Sequence, residues 1–368
     1  MPQKIHLIAA ARPNFMKIAP IWRTMTEGSN LLDPVLIHTG QHYDKNMSDV
    51  FFADLGLPVP DVHLGVGGGS HAQQTAGVLL KYEDLCQTAR PDLVLVVGDV
   101  NATMATSLVA TKMHIPVAHV EAGLRSGDRT MPEEINRLVT DSIADLLFTP
   151  SPDADANLLA EGVPAEKIHL VGNIMIDSLV RSIEKARHLD SFKHYDVEPR
   201  EFCVVTLHRP ANVDDPATLE KILRVLETID MPLLFPVHPR TQAVIQKYDL
   251  GDRCGLTASR LQLIEPLGYY EFMNLVSHCR MMLTDSGGLQ EETTFLDIPC
   301  LTLRPNTERP ITIEQGTNEL ATVESLPDQV QQILTGKWKH GTVPPLWDGA
   351  TAPRIVAVLE QYLTATGS

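Results

Sequence analysis

DLVLVVGD, residues 92–99, holds five consecutive apolar residues, Leu93 to Val97, closed by Gly98 and Asp99. A strand with one wet face alternates apolar and polar residues. An unbroken Val/Leu run instead suits a strand covered on both faces, as in a parallel sheet flanked by helices. Similar runs recur on either side: KIHLIAA, PVLIHTG, PVAHVEAG and LLFTPS, then EFCVVTLHR, PLLFPVHP, LQLIEPLG, MMLTDSGG and PCLTLR. Stretches with helical spacing separate them, among them PATLEKILRVLETI and YEFMNLVSH. Strand then helix, repeated, predicts an α/β chain built on parallel sheets.

With 368 residues the chain has room for two such domains, each with its own core. The boundary is placed near Gly172, where a strand and a charged helix lead into a polar, proline-containing stretch. This gives an N-terminal domain over 1–172, a C-terminal domain over 173–349, and a final amphipathic helix, PRIVAVLEQYL, within 350–368.

Lys and Arg total 30 and Asp and Glu total 46, a formal charge of −16, which repels nucleic acid and anionic membrane. Neither is an expected partner. An anionic metabolite needs a locally basic cleft, because screening acts over about 8 Å at physiological salt. The five cysteines, Cys86, Cys203, Cys254, Cys279 and Cys300, form no C-x-x-C pair, which argues against a zinc site or a disulfide framework and suggests a reducing cytoplasm. The first apolar run is broken by Arg12, and no run reaches the roughly 20 residues that span a bilayer. A soluble, cytoplasmic protein is expected.

In open parallel sheets, ligands bind beyond the carboxyl ends of the strands. That rule singles out Arg12, Gln41, His42, Asp99, Glu121, His208, His238, Ser286, Gly287 and Gly288. The stretch HVEAGLRSGDRTMPEEINR, 119–137, crowds Glu121, Asp128, Glu133 and Glu134 among Arg125, Arg129 and Arg137, either as a site or as a solvated, self-paired loop. LTDSGGLQEETTFL, 283–296, runs a strand into Ser-Gly-Gly and a helix, leaving backbone N–H groups free for an anion. Glu291 and Glu292 follow, placed to accept hydrogen bonds from a ribose, although an ordinary capped turn fits equally well. GVGGGSHAQQTA, 65–76, lacks the last glycine of a dinucleotide fingerprint, and Ser70 with Gln73 fits a capping box. Arg12, Lys17, Arg304 and Arg309 supply candidate local basicity. No H-E-x-x-H or comparable spacing supports a metal.

In order along the chain, ARPNFMKIAP, TGQHYD, GDVNAT, HVEAGLRS, MPEEINR, VGNIMIDSL, VTLHRPANVDD, PVHPRT, TDSGGLQEE and NTERP resemble the non-hydrolysing UDP-N-acetylglucosamine 2-epimerases. The resemblance runs from about residue 4 to 320. It implies two Rossmann-like domains with parallel sheets facing across a cleft, the glycosyltransferase-B arrangement. It also implies a nucleotide sugar in the cleft, no cofactor, a homodimer, and a last helix returning to the N-terminal domain.

By that resemblance Asp99, Glu121, Glu133 and His208 are catalytic. Arg12, Lys17, Arg137, Phe272, Ser286, Gly287, Gly288, Glu292 and Arg309 belong to substrate or UDP binding, and Gln41 and His42 to a second, allosteric UDP-sugar site; His238, at a strand end matching that of His208 in the same half, is expected to contact the ligand on that placement. Glu134 and Asp128 are expected to be structural, paired to nearby arginines. The chemistry implied is elimination of UDP across sugar carbons 1 and 2 to a glycal, then re-addition, which needs proton carriers and cations. NFMK and LHRPAN depart from many members and are similar to a branch acting on UDP-2,3-diacetamido-glucuronate. Other readings are a hydrolysing 2-epimerase, a retaining glycosyltransferase of the same fold, and a nucleotide-sugar sensor.

Overall fold

The computed structural model describes residues 2–40, 52, 55–256 and 260–366. The chain divides into two compact units, Met1–Ser178 with Pro345–Ser368, and Leu179–Pro344. The division falls within the unbroken helix Ile174–Arg187, six residues beyond Gly172.

The first unit is built on seven parallel strands: β1 (Gln3–Ala9), β2 (Leu32–His38), β3 (Val62–His63), β4 (Leu93–Val97), β5 (Val117–Val120), β6 (Leu146–Thr149) and β7 (Ile168–Leu170). Their order across the sheet is β3-β2-β1-β4-β5-β6-β7. β4 lies beside β1 and β5, pairing Ile5 with Leu93 and Val94 with Val117, and every residue of it is buried. Two-sided burial is what its unbroken apolar run requires. One face packs Ile8, Ile37, Val94, Val96, Val117 and Leu147 against Tyr82, Cys86 and Leu158 from the covering helices.

The C-terminal helix Thr351–Thr366 packs in this same unit. Asp177 accepts hydrogen bonds from the N–H groups of Thr351 (3.1 Å) and Ala352 (2.8 Å), satisfying donors that a helix start leaves open. Further along, Ser29 Oγ donates to Glu360 at 2.6 Å, and before the helix the buried Trp347 donates to the Pro150 carbonyl at 2.9 Å.

The second unit carries six parallel strands: β8 (Cys203–Thr206), β9 (Leu233–Pro236), β10 (Leu261–Ile264), β11 (Met281–Thr284), β12 (Cys300–Thr302) and β13 (Asn318–Leu320), in the order β10-β9-β8-β11-β12-β13. Helix Pro216–Glu227 shows how sequence dictates the packing. Asp215 caps it by accepting from Thr218 N at 2.9 Å, and Leu219, Ile222, Leu223 and Leu226 form one buried stripe at helical spacing. The stripe joins Val205, Phe235, Leu283 and Leu301 in the core, each such side chain contributing about 1.5–3 kcal/mol on burial.

The expected fold class, two Rossmann-like α/β domains of parallel sheets, is the one observed. All five cysteines are free and buried. Burial pushes the Cys279 thiol up to about 12 and Cys300 to about 11, so these are packing groups, not reactive ones. Among the described residues no helix is long and apolar enough to cross a membrane.

Gly172 gives a direct check on the packing before the C-terminal helix. Its φ is +93°, and a Cβ there would lie 2.1 Å from the Leu346 carbonyl oxygen. Gly172→Ala is expected to lower stability by at least about 2 kcal/mol, read as a fall in Tm, through backbone strain plus overpacking. Gly28→Ala, where nothing lies within 4 Å, should leave Tm unchanged or slightly raised.

Candidate active site

In the first unit the polar residues gather beyond the carboxyl ends of β1, β4 and β5. Lys17 extends from the helix Arg12–Gly28, which begins just after β1, and its Nζ bonds Oε2 of Glu121. Both residues are buried, at 8 % and 5 % exposure. Glu121 follows β5 directly with φ +69°, a left-handed conformation that costs a non-glycine residue about 1–2 kcal/mol. Its other oxygen, Oε1, is buried and has no hydrogen-bond partner among the described residues. Gly98 makes room for the pair: a Cβ there would sit 2.9 Å from Lys17 Nζ and 3.6 Å from Glu121 Oε2.

Asp99 comes next. Its Oδ2 accepts from Nε (3.0 Å) and Nη2 (2.7 Å) of Arg137. Arg137 Nη1 binds Glu134, which also accepts the backbone N–H groups of Ser126 (3.0 Å) and Gly127 (2.9 Å). Burial works against the ionised form of Glu134, but those two N–H groups and Arg137 together hold its carboxyl below the usual range. Glu133 stands half-buried in the first turn of the helix Pro132–Ile143. Asp128 departs from expectation. It accepts from the N–H (2.9 Å) and hydroxyl (2.6 Å) of Thr130 instead of pairing with an arginine, because a two-residue Asp-to-Thr spacing closes a local turn.

In the second unit the group forms beyond β8, β9 and β11. Helix Gly287–Phe295 starts after Ser286, whose side chain makes no capping bond, so the hydroxyl leaves the first-turn N–H groups open. Gly287 is needed because a Cβ would meet Arg309 Nη1 at 2.6 Å and Glu308 Oε1 at 2.7 Å. Gly288 has open space around it. Arg309 pairs with Glu308 and, through Nε at 2.8 Å, with Glu291, while Arg304 pairs with Glu308 at 2.9 Å. The local basicity here is thus already matched by two glutamates.

His208, half-exposed, has Nδ1 2.9 Å from Oδ1 of the fully buried Asp285. Asp285 also accepts from the N–H groups of His208 (3.1 Å) and Arg209 (2.9 Å) and from Asn212 Nδ2 (3.0 Å). Burial opposes its charge, but His208, Asn212 and the Arg209 N–H hold the carboxyl below its ordinary range. Glu292 is the opposite case: burial, with Glu291 beside it, pushes it up to about 7 although Tyr269 donates to its Oε1 at 3.2 Å. His238 is exposed at the start of helix Pro239–Lys247, its Nδ1 accepting from Arg240 N at 3.2 Å, and Phe272 is half-buried in helix Tyr269–His278.

Arg12 opens its helix, and its side chain lies outside the described residues, as do Gln41 and His42 entirely. The glycine cluster at 65–70 ends in the expected capping box, Gln73 N to Ser70 Oγ at 3.3 Å and Ser70 N to Gln73 Oε1 at 2.9 Å. Among the described residues no cluster of three or more His, Cys, Asp or Glu side chains is arranged to hold a metal ion. Sequence reasoning assigned no part to His119, Asp141 or Asp285, which anchor these groups. An Asp closing an apolar strand, as Asp285 closes β11, is the one local signal that marks such an anchor.

A sequence profile of the family described as UDP-N-acetylglucosamine 2-epimerase matches residues 25–360. The chain is 41 % identical over 367 residues to a UDP-N-acetylglucosamine 2-epimerase of Methanocaldococcus jannaschii, covering 97 % of this chain and 98 % of that one. It is 42 % identical over 322 residues to a UDP-2,3-diacetamido-2,3-dideoxy-D-glucuronate 2-epimerase of Pseudomonas aeruginosa, covering 86 % and 88 %. A crystal structure of the M. jannaschii enzyme in complex with UDP-GlcNAc and UDP matches with a TM-score of 0.87 at 40 % identity, covering 97 % of this chain and 99 % of that one. The chain belongs to the UDP-N-acetylglucosamine 2-epimerase family.

The raised Glu292 carboxyl links stability to pH. The folded protein holds this proton while the unfolded chain loses it at an ordinary value near 4.5, so the contribution is full below 4.5, is lost as pH rises, and is gone above about 7. Glu292→Gln is expected to remove that component. The difference in stability between variant and wild type should grow in the variant's favour by on the order of 3 kcal/mol across this window, read from denaturant titrations.

Proposed function

We propose that this protein interconverts UDP-N-acetylglucosamine and UDP-N-acetylmannosamine by eliminating UDP across sugar carbons 1 and 2 and adding it back. The proton on carbon 2 has no neighbouring carbonyl to acidify it, so direct deprotonation and reprotonation faces a prohibitive barrier. In the elimination, the C2–H electrons become the C1=C2 double bond of a glycal while the C1–O bond breaks and UDP leaves with its electron pair. On return, UDP attacks carbon 1 and carbon 2 takes a proton on its other face.

The observation that carries this reading is Glu121. It is a buried carboxylate with one oxygen held by Lys17 and the other without a partner among the described residues, which suits a proton carrier. Asp99, Glu133 and His208 are assigned the remaining proton traffic. UDP is assigned to Ser286, Gly287, Gly288, Glu292 and Arg309, with Phe272 near the base, and Arg12, Lys17, Arg137 and His238 complete the substrate contacts. Support comes from the family and from the relative solved with UDP-GlcNAc and UDP. The open helix start at Ser286 suits a diphosphate, with Arg309 against it, for electrostatic stabilisation of the departing group.

A second substrate has its own support, the relative named for UDP-2,3-diacetamido-2,3-dideoxy-D-glucuronate. Proton NMR of reactions with each UDP-sugar separates the two. The proposal expects a manno product still attached to UDP from UDP-N-acetylglucosamine. Conversion of the uronate alone, or release of free sugar, would contradict it. Glu121→Gln and His208→Ala should each lower kcat by about a hundredfold or more. Near-wild-type rates would remove them from the mechanism.

A further inference from the structure

His119, the third residue of β5, is fully buried. Its Nε2 lies 2.9 Å from the carbonyl oxygen of Gly98 and its Nδ1 2.6 Å from Oδ1 of Asp141. A carbonyl oxygen can only accept, and so can an ionised carboxylate. Asp141, in the helix Pro132–Ile143, has its other oxygen 3.0 Å from the Gly123 N–H and 2.7 Å from Arg125 Nη1. Burial opposes the charge on Asp141, yet His119, Arg125 and the Gly123 N–H together hold its carboxyl below the ordinary range. Both ring nitrogens of His119 therefore face groups that accept.

We infer that His119 is a buried imidazolium, protonated on both nitrogens, and that it is the positioning residue for Glu121 and Asp99. The bonds it organises bracket both carboxylates. Gly98, whose carbonyl it holds, precedes Asp99 and is the glycine against which Lys17 and Glu121 pack. Gly123, held by Asp141, lies two residues after Glu121, whose left-handed backbone persists only if its surroundings over-determine it.

The charges also close. His119 meets Asp141, Asp141 meets Arg125, and Arg125 forms two 2.7 Å bonds to Glu161 at the surface, so two cations face two carboxylates. The competing arrangement, neutral His119 accepting a hydrogen bond from the O–H of protonated Asp141, would leave Arg125 bonded to an uncharged acid and forfeit a charge-assisted bond. Among the described residues the ring nitrogens have no other hydrogen-bond partner.

The positioning half of this inference rests on the catalytic reading of Glu121 and Asp99; the protonation half does not. Nitrogen NMR of the full chain labelled with ¹⁵N-histidine tests protonation in the wild-type protein near neutral pH. The expected His119 signals are two protonated ring nitrogens, each coupled to its own proton, with His119→Asn used to assign them. An unprotonated Nδ1 would overturn the inference. Asp141→Asn then tests positioning: kcat should fall about tenfold to a hundredfold while KM and the affinity for UDP change little. An unchanged kcat in a variant with wild-type circular dichroism would overturn it, and if that variant does not fold, the same comparison of kcat and KM is read from His119→Asn. Should the protein turn over no UDP-sugar at all, the proposed function fails while the nitrogen spectrum still reads the imidazolium.

Discussion

A carboxylate buried in a protein must be partnered or lose its charge, and the carboxyl edge of the first sheet is organised around keeping Glu121 half-partnered. Lys17 supplies one hydrogen bond, Gly98 supplies the room, and the second oxygen has no partner among the described residues. A buried ion pair is a poor source of stability, but removing one member typically costs about 3–5 kcal/mol because the other is stranded. Such a pair, set on a strained backbone, is better explained by a task than by folding.

The same economy of charge runs through each unit. The chain is strongly acidic, yet among the described residues the cations of these groups are mated to carboxylates: Lys17 to Glu121, Arg137 to Asp99 and Glu134, Arg125 to Asp141 and Glu161, Arg304 to Glu308, and Arg309 to Glu291 and Glu308. Asp285 does for His208 what Asp141 does for His119, but the difference in exposure is instructive. The His208 ring is half in solvent, whereas His119 is sealed beneath the sheet edge.

Much of this was legible in the sequence because two-sided burial writes itself as unbroken apolar runs. LVLVV, CVVT and MMLT all became interior strands. β3 and β13 were not legible: they are two and three residues long, lie at sheet edges, and take their extended form from the neighbour they pair with. Candidate site residues at strand ends, Glu121 and His208 among them, followed from the parallel-sheet rule. Their anchors did not, since His119–Asp141 and His208–Asp285 are separated by 22 and 77 residues and no local pattern records a contact made by folding. Asp128 failed for the converse reason: arginines crowd it in sequence, but the nearest geometry that satisfies it is its own turn.

The most direct measurement is solvent exchange at the reacting carbon. With UDP-N-acetylglucosamine in deuterated water, the account predicts deuterium at carbon 2 of the manno product and, through the reverse reaction, of the recovered substrate, with Glu121→Gln suppressing both. Formation of the manno product with its original carbon-2 proton retained would contradict proton transfer by these carboxylates.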